Sequence, residues 1–245
     1  MRANPFLTCT VVLLALTAAS SRGFAAEADK ASFNGIWSGD QGVLWDTSVK
    51  PGEKTKAPFT PEYVARYQQS LDAAARGKPK ADPTTQCMPP GVPRILASPF
   101  PFEVVVTAKT VYILYEYMSQ MRRIALDGSG PPPLGAPTFN GHSTGKWDGD
   151  TLVIDTIEMN PKSVLDTTHF PHSDVLKVTE RMRLAGPDKL EISITLNDAK
   201  ALTKPWTVVR TYTRKPGERL LEYVCAENNR NPVNADGTTG FTGTP

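Results

Sequence analysis

The chain has 245 residues, with 27 Lys and Arg, 25 Asp and Glu and only three histidines, so its formal net charge is +2. This near balance argues against a nucleic-acid binder, because such a protein needs a basic face for phosphates. The length fits one β domain of generous size once an N-terminal leader is set aside.

The first 25 residues have the pattern of a secretory signal peptide. Arg2 supplies a positive start, residues 6–19 are almost wholly apolar or small, and cleavage is expected after residue 25 or as late as residue 28. Removing residues 1–25 takes away Arg2 and Arg22 and no acid, which leaves 25 basic and 25 acidic residues. The apolar run is shorter than the roughly 20 residues that span a bilayer, and no second run follows. We therefore predict a periplasmic or secreted protein with no membrane span.

The first elements of the mature chain are one strand and one helix. Residues 32–39 predict a strand with Trp37 as an aromatic anchor. Thr60 is expected to cap a helix that has Pro61 at its first position, since proline is tolerated there. Apolar residues then recur at helical spacing up to Gly77, which ends the helix.

Two cysteines remain after the leader is removed, because Cys9 leaves with it. In an exported chain, Cys87 and Cys225 favour one disulfide, which would tie an early Pro-rich loop to the final predicted strand. The alternative is two buried free thiols. The spacing excludes a CxxC zinc or redox motif.

From residue 103 the apolar period changes to two, which predicts about nine strands joined mostly by hairpins. The strands predicted in this part are 103–107, 111–117, 121–126, 143–147, 151–158, 174–184, 190–196, 206–214 and 220–225. We predict an all-β fold in which an antiparallel meander closes into a barrel, since closure removes exposed edges. A flatter sandwich is the alternative. The domain is expected to cover residues 32–231, followed by a C-terminal tail, 232–245.

Alternation along the strands places several charged side chains on the apolar, inward faces. Glu180 is one of them, and Glu222 and Arg210 are others. An inward acid is unfavourable unless it is paired, so Arg210 is the expected partner of Glu180 or Glu222, with Arg123 or a histidine as second choices. Two interpretations stay open. The charges form a buried structural ion pair, or they form the polar floor of a ligand cavity.

All three histidines precede or begin predicted strands, where an imidazole can exchange protons or bind a metal. His142 starts one strand, while His169 and His172 lie together just before another that begins with Asp174. In a functional site, Asp174 or Ser173 would orient one imidazole, which would then move a proton on a bound substrate. Alternatively, these side chains only hydrogen-bond loop backbone. A three-histidine metal site and a nucleophilic triad with Ser143 are further alternatives, but the extended loop and the missing G-x-S-x-G elbow argue against them.

The Asn-rich segment 227–231 follows Cys225. Asparagine clusters commonly satisfy loop backbone, so loop capping is one interpretation. The other places Asn228 at the mouth of the barrel, near the histidines.

Several motifs together resemble a large family of uncharacterised exported bacterial proteins. They are Gly141-His142-Ser143-x-Gly145-x-Trp147-x-Gly149-Asp150-Thr151-Leu152-Val153, Pro171-His172-Ser173-Asp174, Thr203-Lys204-Pro205-Trp206 and Glu227-Asn228-Asn229-Arg230. The resemblance spans most of residues 33–231 and implies export but no particular activity. The strand order, with Gly35-Ile36-Trp37 similar to the first strand of lipocalins, implies a lipocalin/calycin-like β-barrel.

The first functional hypothesis is a carrier for an apolar or phenolic small molecule bound in the barrel. Its predicted ligand-binding residues are Tyr115, Tyr117, Arg123, Trp206, Arg210, Glu222 and Asn228. The alternative is a cofactor-independent lyase, isomerase or hydratase that uses the same pocket. Its predicted catalytic residues are His142, His169, His172, Asp174 and Glu180. Neither hypothesis requires a metal or a cofactor, and both leave the oligomeric state open.

Overall fold

The computed structural model describes residues 30–50, 55–78, 80, 82–129 and 136–225. The predicted signal peptide, the segment with Asn228 and the tail 232–245 lie outside the described residues. No helix within them is long and apolar enough to cross a membrane.

In the described part of the chain, nine strands, neighbours in chain order, close into one barrel, which confirms the predicted closed all-β fold. The strands are β1 (Gly35–Gly39), β2 (Phe102–Val106), β3 (Thr110–Tyr115), β4 (Gln120–Ala125), β5 (His142–Asp148), β6 (Thr151–Ile157), β7 (Lys177–Gly186), β8 (Lys189–Asn197) and β9 (Trp206–Arg214). The helix α1 (Pro61–Ala75) lies between β1 and β2 in the chain and begins at the proline, as the sequence predicts.

One neighbouring pair, β4 and β5, runs parallel, with Ile124 opposite Ser143 and Ala125 opposite Thr144. This pair corrects the prediction of a meander that is antiparallel throughout. The reason is topological, because neighbours can alternate in direction around a closed ring only if the number of strands is even. A ring of nine must contain a parallel pair. Parallel neighbours need a longer connection than a hairpin turn, and residues 126–141 separate β4 from β5 in the chain.

The predicted strand at 220–225 does not form. β9 pairs directly with β1, where Trp37 lies opposite Arg214, and this pairing completes the ring. A further strand would find no free edge to pair with. Glu222 is therefore exposed and does not face the interior, which corrects its predicted inward position.

The middle of the barrel is filled by side chains. Inward residues of six strands have no exposed surface: Trp37, Ile113, Ile124, Leu152, Ile154, Met182, Leu190, Ile192 and Ile194. Since no water molecule could touch these side chains, they form a packed core of the kind that small barrels have. This corrects the expectation of a ligand cavity among them.

Loops and the helix cover one end of the barrel, which we call the capped end. It is the end at which β1 stops and β9 starts, since Gly39 lies opposite Tyr212. The covering segments are 40–50, α1, 82–101 and 158–176. Tyr67 of α1 packs against Phe170, with ring centroids 5.7 Å apart. These contacts hold the helix on the barrel through its apolar face.

The predicted disulfide is present between Cys87 and Cys225, whose Cα atoms are 5.7 Å apart. Cys87 has a φ of 57° and ends a short 3₁₀ helix, Pro83–Gln86. The bond therefore ties the covering segment 82–101 to the chain that follows β9.

Candidate functional site: a cavity at the capped end

A cavity of about 480 Å³ lies at the capped end, bounded by α1, the covering segment 82–101, Tyr117 and the loop 167–169. Most of its wall is apolar. The apolar side comes from Leu71, Ala74, Pro90, Ala97, Phe100 and Tyr117. The volume falls within the range of about 300–1,000 Å³ that is usual for small-molecule sites.

A buried ion pair forms part of the polar wall. Arg94 donates to both carboxylate oxygens of Asp82, at 2.8 Å from Nη1 and 2.6 Å from Nη2. The backbone N–H and hydroxyl of Thr84 donate to the same carboxylate, at 3.0 and 2.9 Å. Burial alone would raise the pKa of Asp82, but the bonds and charge of Arg94 and the bonds from Thr84 outweigh it and hold the pKa below 3.8. The pair fixes the segment 82–101 where it borders the cavity.

His169 lies on the wall of the cavity beside this pair. Its Nε2 is 2.8 Å from the carbonyl oxygen of Lys80, and its backbone has a φ of 59°. Burial lowers the pKa of the imidazole and outweighs the opposing effects of the Lys80 carbonyl and of Asp82. The ring is therefore neutral at pH 7.

Two stacked rings close the other side of the cavity. Phe100 and Tyr117 are parallel within 2°, with centroids 5.1 Å apart. Tyr223 meets both rings edge-on, with centroids 5.3 Å from each. Because Tyr223 is two residues from Cys225, the disulfide holds this aromatic wall as well as the segment 82–101.

Glu180 points into the barrel, as the alternation predicts, but its partner is Arg122 and not Arg210. Arg122 donates to both carboxylate oxygens, at 2.7 Å from Nη2 and 3.1 Å from Nη1, and both side chains are almost completely buried. Burial alone would lower the pKa of Arg122, but the Glu180 carboxylate raises it above its ordinary value.

Hydroxyl groups surround this pair, while Nε of Arg122 has no hydrogen-bond partner among the described residues. Arg122 also donates to Ser143 and Thr156, each at 3.2 Å, and lies 3.4 Å from the hydroxyl of Tyr115. None of these residues borders the cavity at the capped end. The arrangement corresponds to the buried structural pair, which was one of the two interpretations of the sequence.

Arg210 is also buried, but its partners are backbone carbonyl groups and not the predicted carboxylate of Glu180 or Glu222. Its Nη1 and Nη2 donate to the carbonyl oxygen of Gly42, at 3.1 and 3.2 Å, and Nη2 also donates to that of Leu44. The guanidinium lies 5.7 Å from the ring centroid of Trp45. Arg210 therefore anchors the first covering segment inside the barrel end.

The other two predicted catalytic histidines have separate surroundings. His172 is buried, with Nε2 2.9 Å from the hydroxyl of Ser163 and Nδ1 2.9 Å from the carbonyl oxygen of Ser173. His142 lies 3.4 Å from a carboxylate oxygen of Glu158. Among the described residues, no group of three or more His, Cys, Asp or Glu could hold a metal ion.

The remaining predicted residues also spread over the molecule. Asp174 is exposed and accepts a bond from Lys200 at 2.6 Å. Arg123 is exposed on the outside of β4, and Trp206 stacks on Phe170 with centroids 5.4 Å apart. Of the residues predicted for either hypothesis, His169 and Tyr117 are those that border the cavity.

Asp82 and Arg94 were missed because they lie in a Pro-rich segment without periodicity. No strand face assigns an inward direction there. One feature of the sequence could have pointed to them. An acidic and a basic residue flank Cys87, whose predicted disulfide would hold their segment in place.

No family model matches the chain, and no curated protein does. Among solved structures, the crystal structure of the N57A mutant of the fluorescent protein UnaG matches over 75% of this chain and 96% of its own, at 13% identity and a TM-score of 0.36. Similarity at this level carries no argument about this chain, and nothing about a ligand is transferred from it. The resemblance to a large exported family stays a prediction.

Proposed function

We propose that this protein binds a small, mainly apolar molecule in the cavity at the capped end. The observation that carries the proposal is the cavity itself, about 480 Å³ with a largely apolar wall and a few polar groups on one side. Ligand sites in proteins commonly have this composition, since apolar contact supplies affinity and a few polar groups fix orientation.

The wall of the cavity is held in place before any ligand binds. The Asp82–Arg94 pair and the disulfide at Cys87 fix one side, and α1 fixes the opposite side through Tyr63 and Tyr67. A preformed site loses less conformational entropy on binding, which favours affinity. The packed middle of the barrel then acts as the scaffold, and the ligand sits above it.

The disulfide supports the second part of the proposal, which is that the protein works after export. Disulfides persist in oxidising compartments and are rare in a reducing cytosol.

Acid–base catalysis is a less favoured second function. Such chemistry needs two titratable groups at one substrate position. His169 borders the cavity, but Asp82 beside it is already engaged by Arg94 and Thr84. His172, Asp174 and Glu180 have hydrogen-bond partners elsewhere, and His142 lies beside Glu158, away from the cavity.

Filling the cavity tests the proposal. Ala74 and Ala65 are both exposed on the same helix, but only Ala74 of the two borders the cavity. N-phenyl-1-naphthylamine, a neutral apolar dye, should bind the wild type at one saturable site and gain fluorescence. Ala74→Trp should weaken this binding roughly tenfold or more, because the indole occupies the ligand's space. Ala65→Trp should leave it unchanged. A folded wild type that shows no saturable binding, or an Ala74→Trp variant that binds as well as the control, would contradict the proposal.

A further inference from the structure

The His169 ring offers a hydrogen-bond acceptor of defined identity. Its Nε2 lies 2.8 Å from the carbonyl oxygen of Lys80, and a carbonyl can only accept. Nε2 must therefore carry the proton. In the neutral ring the other nitrogen, Nδ1, then holds a bare lone pair. Among the described residues, no side chain or backbone group donates a hydrogen bond to Nδ1. Nδ1 is also absent from the buried atoms that lack a partner there, so it is not sealed inside the protein.

Arg94 supplies a donor on the same wall. Each of its two terminal nitrogens carries two hydrogens, and each uses one of them on Asp82. Both residues border the cavity, and both are close enough to His169 for their charges to affect the pKa of the imidazole. The polar wall thus combines a neutral acceptor with a donor.

This combination selects against ions. Asp82 already neutralises Arg94, and the lone pair of His169 would face the oxygen of an anion. Lys80 also borders the cavity, but it is exposed, so water and salt screen its charge. Asp82 already accepts three hydrogen bonds at Oδ1 and one at Oδ2, and Arg94 balances its charge, so it attracts a second cation only weakly. A hydroxyl group fits, because its oxygen can accept from Arg94 while its hydrogen is donated to His169.

The rest of the wall favours a ring. Phe100 and Tyr117 present stacked aromatic surface, and Leu71, Ala74 and Pro90 supply further apolar contact. Aromatic pairs stabilise one another beyond the area that they bury.

We propose that the ligand of this cavity is an uncharged phenol, which donates its hydroxyl hydrogen to Nδ1 of His169 and accepts from Arg94. This rests on the proposed function and narrows it to one class of molecule.

The experiment compares 2-naphthol with 2-methoxynaphthalene, which has the same rings but cannot donate, by calorimetric titration of the full exported chain. The wild type should bind 2-naphthol roughly tenfold more tightly, which is the size expected for one well-placed hydrogen bond. His169→Gly should abolish that preference while both compounds still bind. Glycine suits the test because the φ of 59° at this position is one that it adopts without strain.

A second variant keeps the acceptor. His169→Asn tolerates the same backbone and can place an amide oxygen near the position of Nδ1, so part of the preference should remain. Equal affinities for the two compounds in the wild type, or a preference that survives in His169→Gly, would overturn the assignment of a phenol while leaving a binding protein. Failure of both compounds to bind the folded wild type would overturn the proposed function as well.

Discussion

At the scale of single residues, this protein relies on a small set of enclosed charges that each have a defined partner. Arg122 and Glu180 pair inside the barrel, and Asp82 and Arg94 pair at the cavity. Removing one member of such a pair lowers the free energy of unfolding by more than the intact pair contributes to it. The reason is that the remaining charge stays buried without a counter-ion. The direction of each effect can therefore be predicted from the contacts.

Glu180→Gln should lower the free energy of unfolding by about 3–5 kcal/mol, because it leaves Arg122 enclosed without a counter-ion. Denaturant titration at pH 7 measures the loss. The matched control is Arg181→Gln, the next residue of β7, whose pair with Asp148 is more than half exposed on both sides. The control should change stability by less than about 1 kcal/mol. Folded Glu180→Gln should still bind ligand at the capped end. A loss of stability no larger than that of Arg181→Gln would refute a tight interior pair.

Acid should weaken the protein through its enclosed aspartates. The pKa of Asp82 lies below 3.8, and so does that of Asp46, for which hydrogen bonds from Ser48, Lys56 and Thr55 outweigh burial. A carboxyl whose pKa is lower in the folded state contributes stability above the unfolded pKa and loses it as the pH falls through the folded pKa. The free energy of unfolding should therefore fall below about pH 4.

Asp82→Asn tests this assignment. At pH 7 the substitution should lower the free energy of unfolding by about 1.5–3 kcal/mol, the range for hydrogen bonds to charged groups. The stability of the variant should then depend less on pH in acid than that of the wild type. Chemical denaturation between pH 3 and pH 7 compares the two proteins. Parallel curves for wild type and variant would exclude Asp82 as a source of the acid sensitivity.

At the scale of elements, the pairing of β9 with β1 decides what the last segment of the chain does. With the ring closed, residues 220–225 pack outside it and present Tyr223 to the stacked rings of the cavity wall. The disulfide then holds this segment against the segment 82–101, across a separation of 138 residues. One covalent bond thus stabilises both the fold and the site.

Reduction should therefore lower the melting temperature and weaken binding at the cavity together. In the chain-entropy model, a disulfide that closes a loop of this length stabilises the folded state by about 5 kcal/mol. Calorimetry with and without reductant measures the first effect, and dye titration measures the second. The double variant Cys87→Ser, Cys225→Ser should resemble the reduced wild type and should not respond to reductant. Two free thiols in the unreduced, folded protein would contradict the bond itself.

At the scale of the whole molecule, the packed barrel and the proposed binding site occupy different places. The interior is packed around aliphatic side chains and the Arg122–Glu180 pair, and the cavity lies between the barrel end and its covering segments. Ligand specificity can therefore change through α1 and the covering loops without repacking the barrel. Loops on a rigid scaffold commonly carry binding residues for this reason.

The sequence by itself determined most of the elements, the strand predicted at 220–225 being the exception. The period of two places Glu180 inward, and Thr60 and Pro61 mark the start of the helix. Two cysteines outside the predicted signal peptide predict the bond from Cys87 to Cys225. These features are local, or they leave one possible pairing, so no tertiary information is needed to derive them.

Only the tertiary structure decided which elements meet. It placed Arg122 and not Arg210 opposite Glu180, made one pair of strands parallel, and left no edge for residues 220–225. Alternation gives the face of a strand but not its neighbour across the barrel, which depends on closure of the whole ring. The cavity could not be predicted from the sequence either. Its wall includes residues of irregular segments that only the packed barrel end brings together: Asp82, Arg94, His169 and Tyr117.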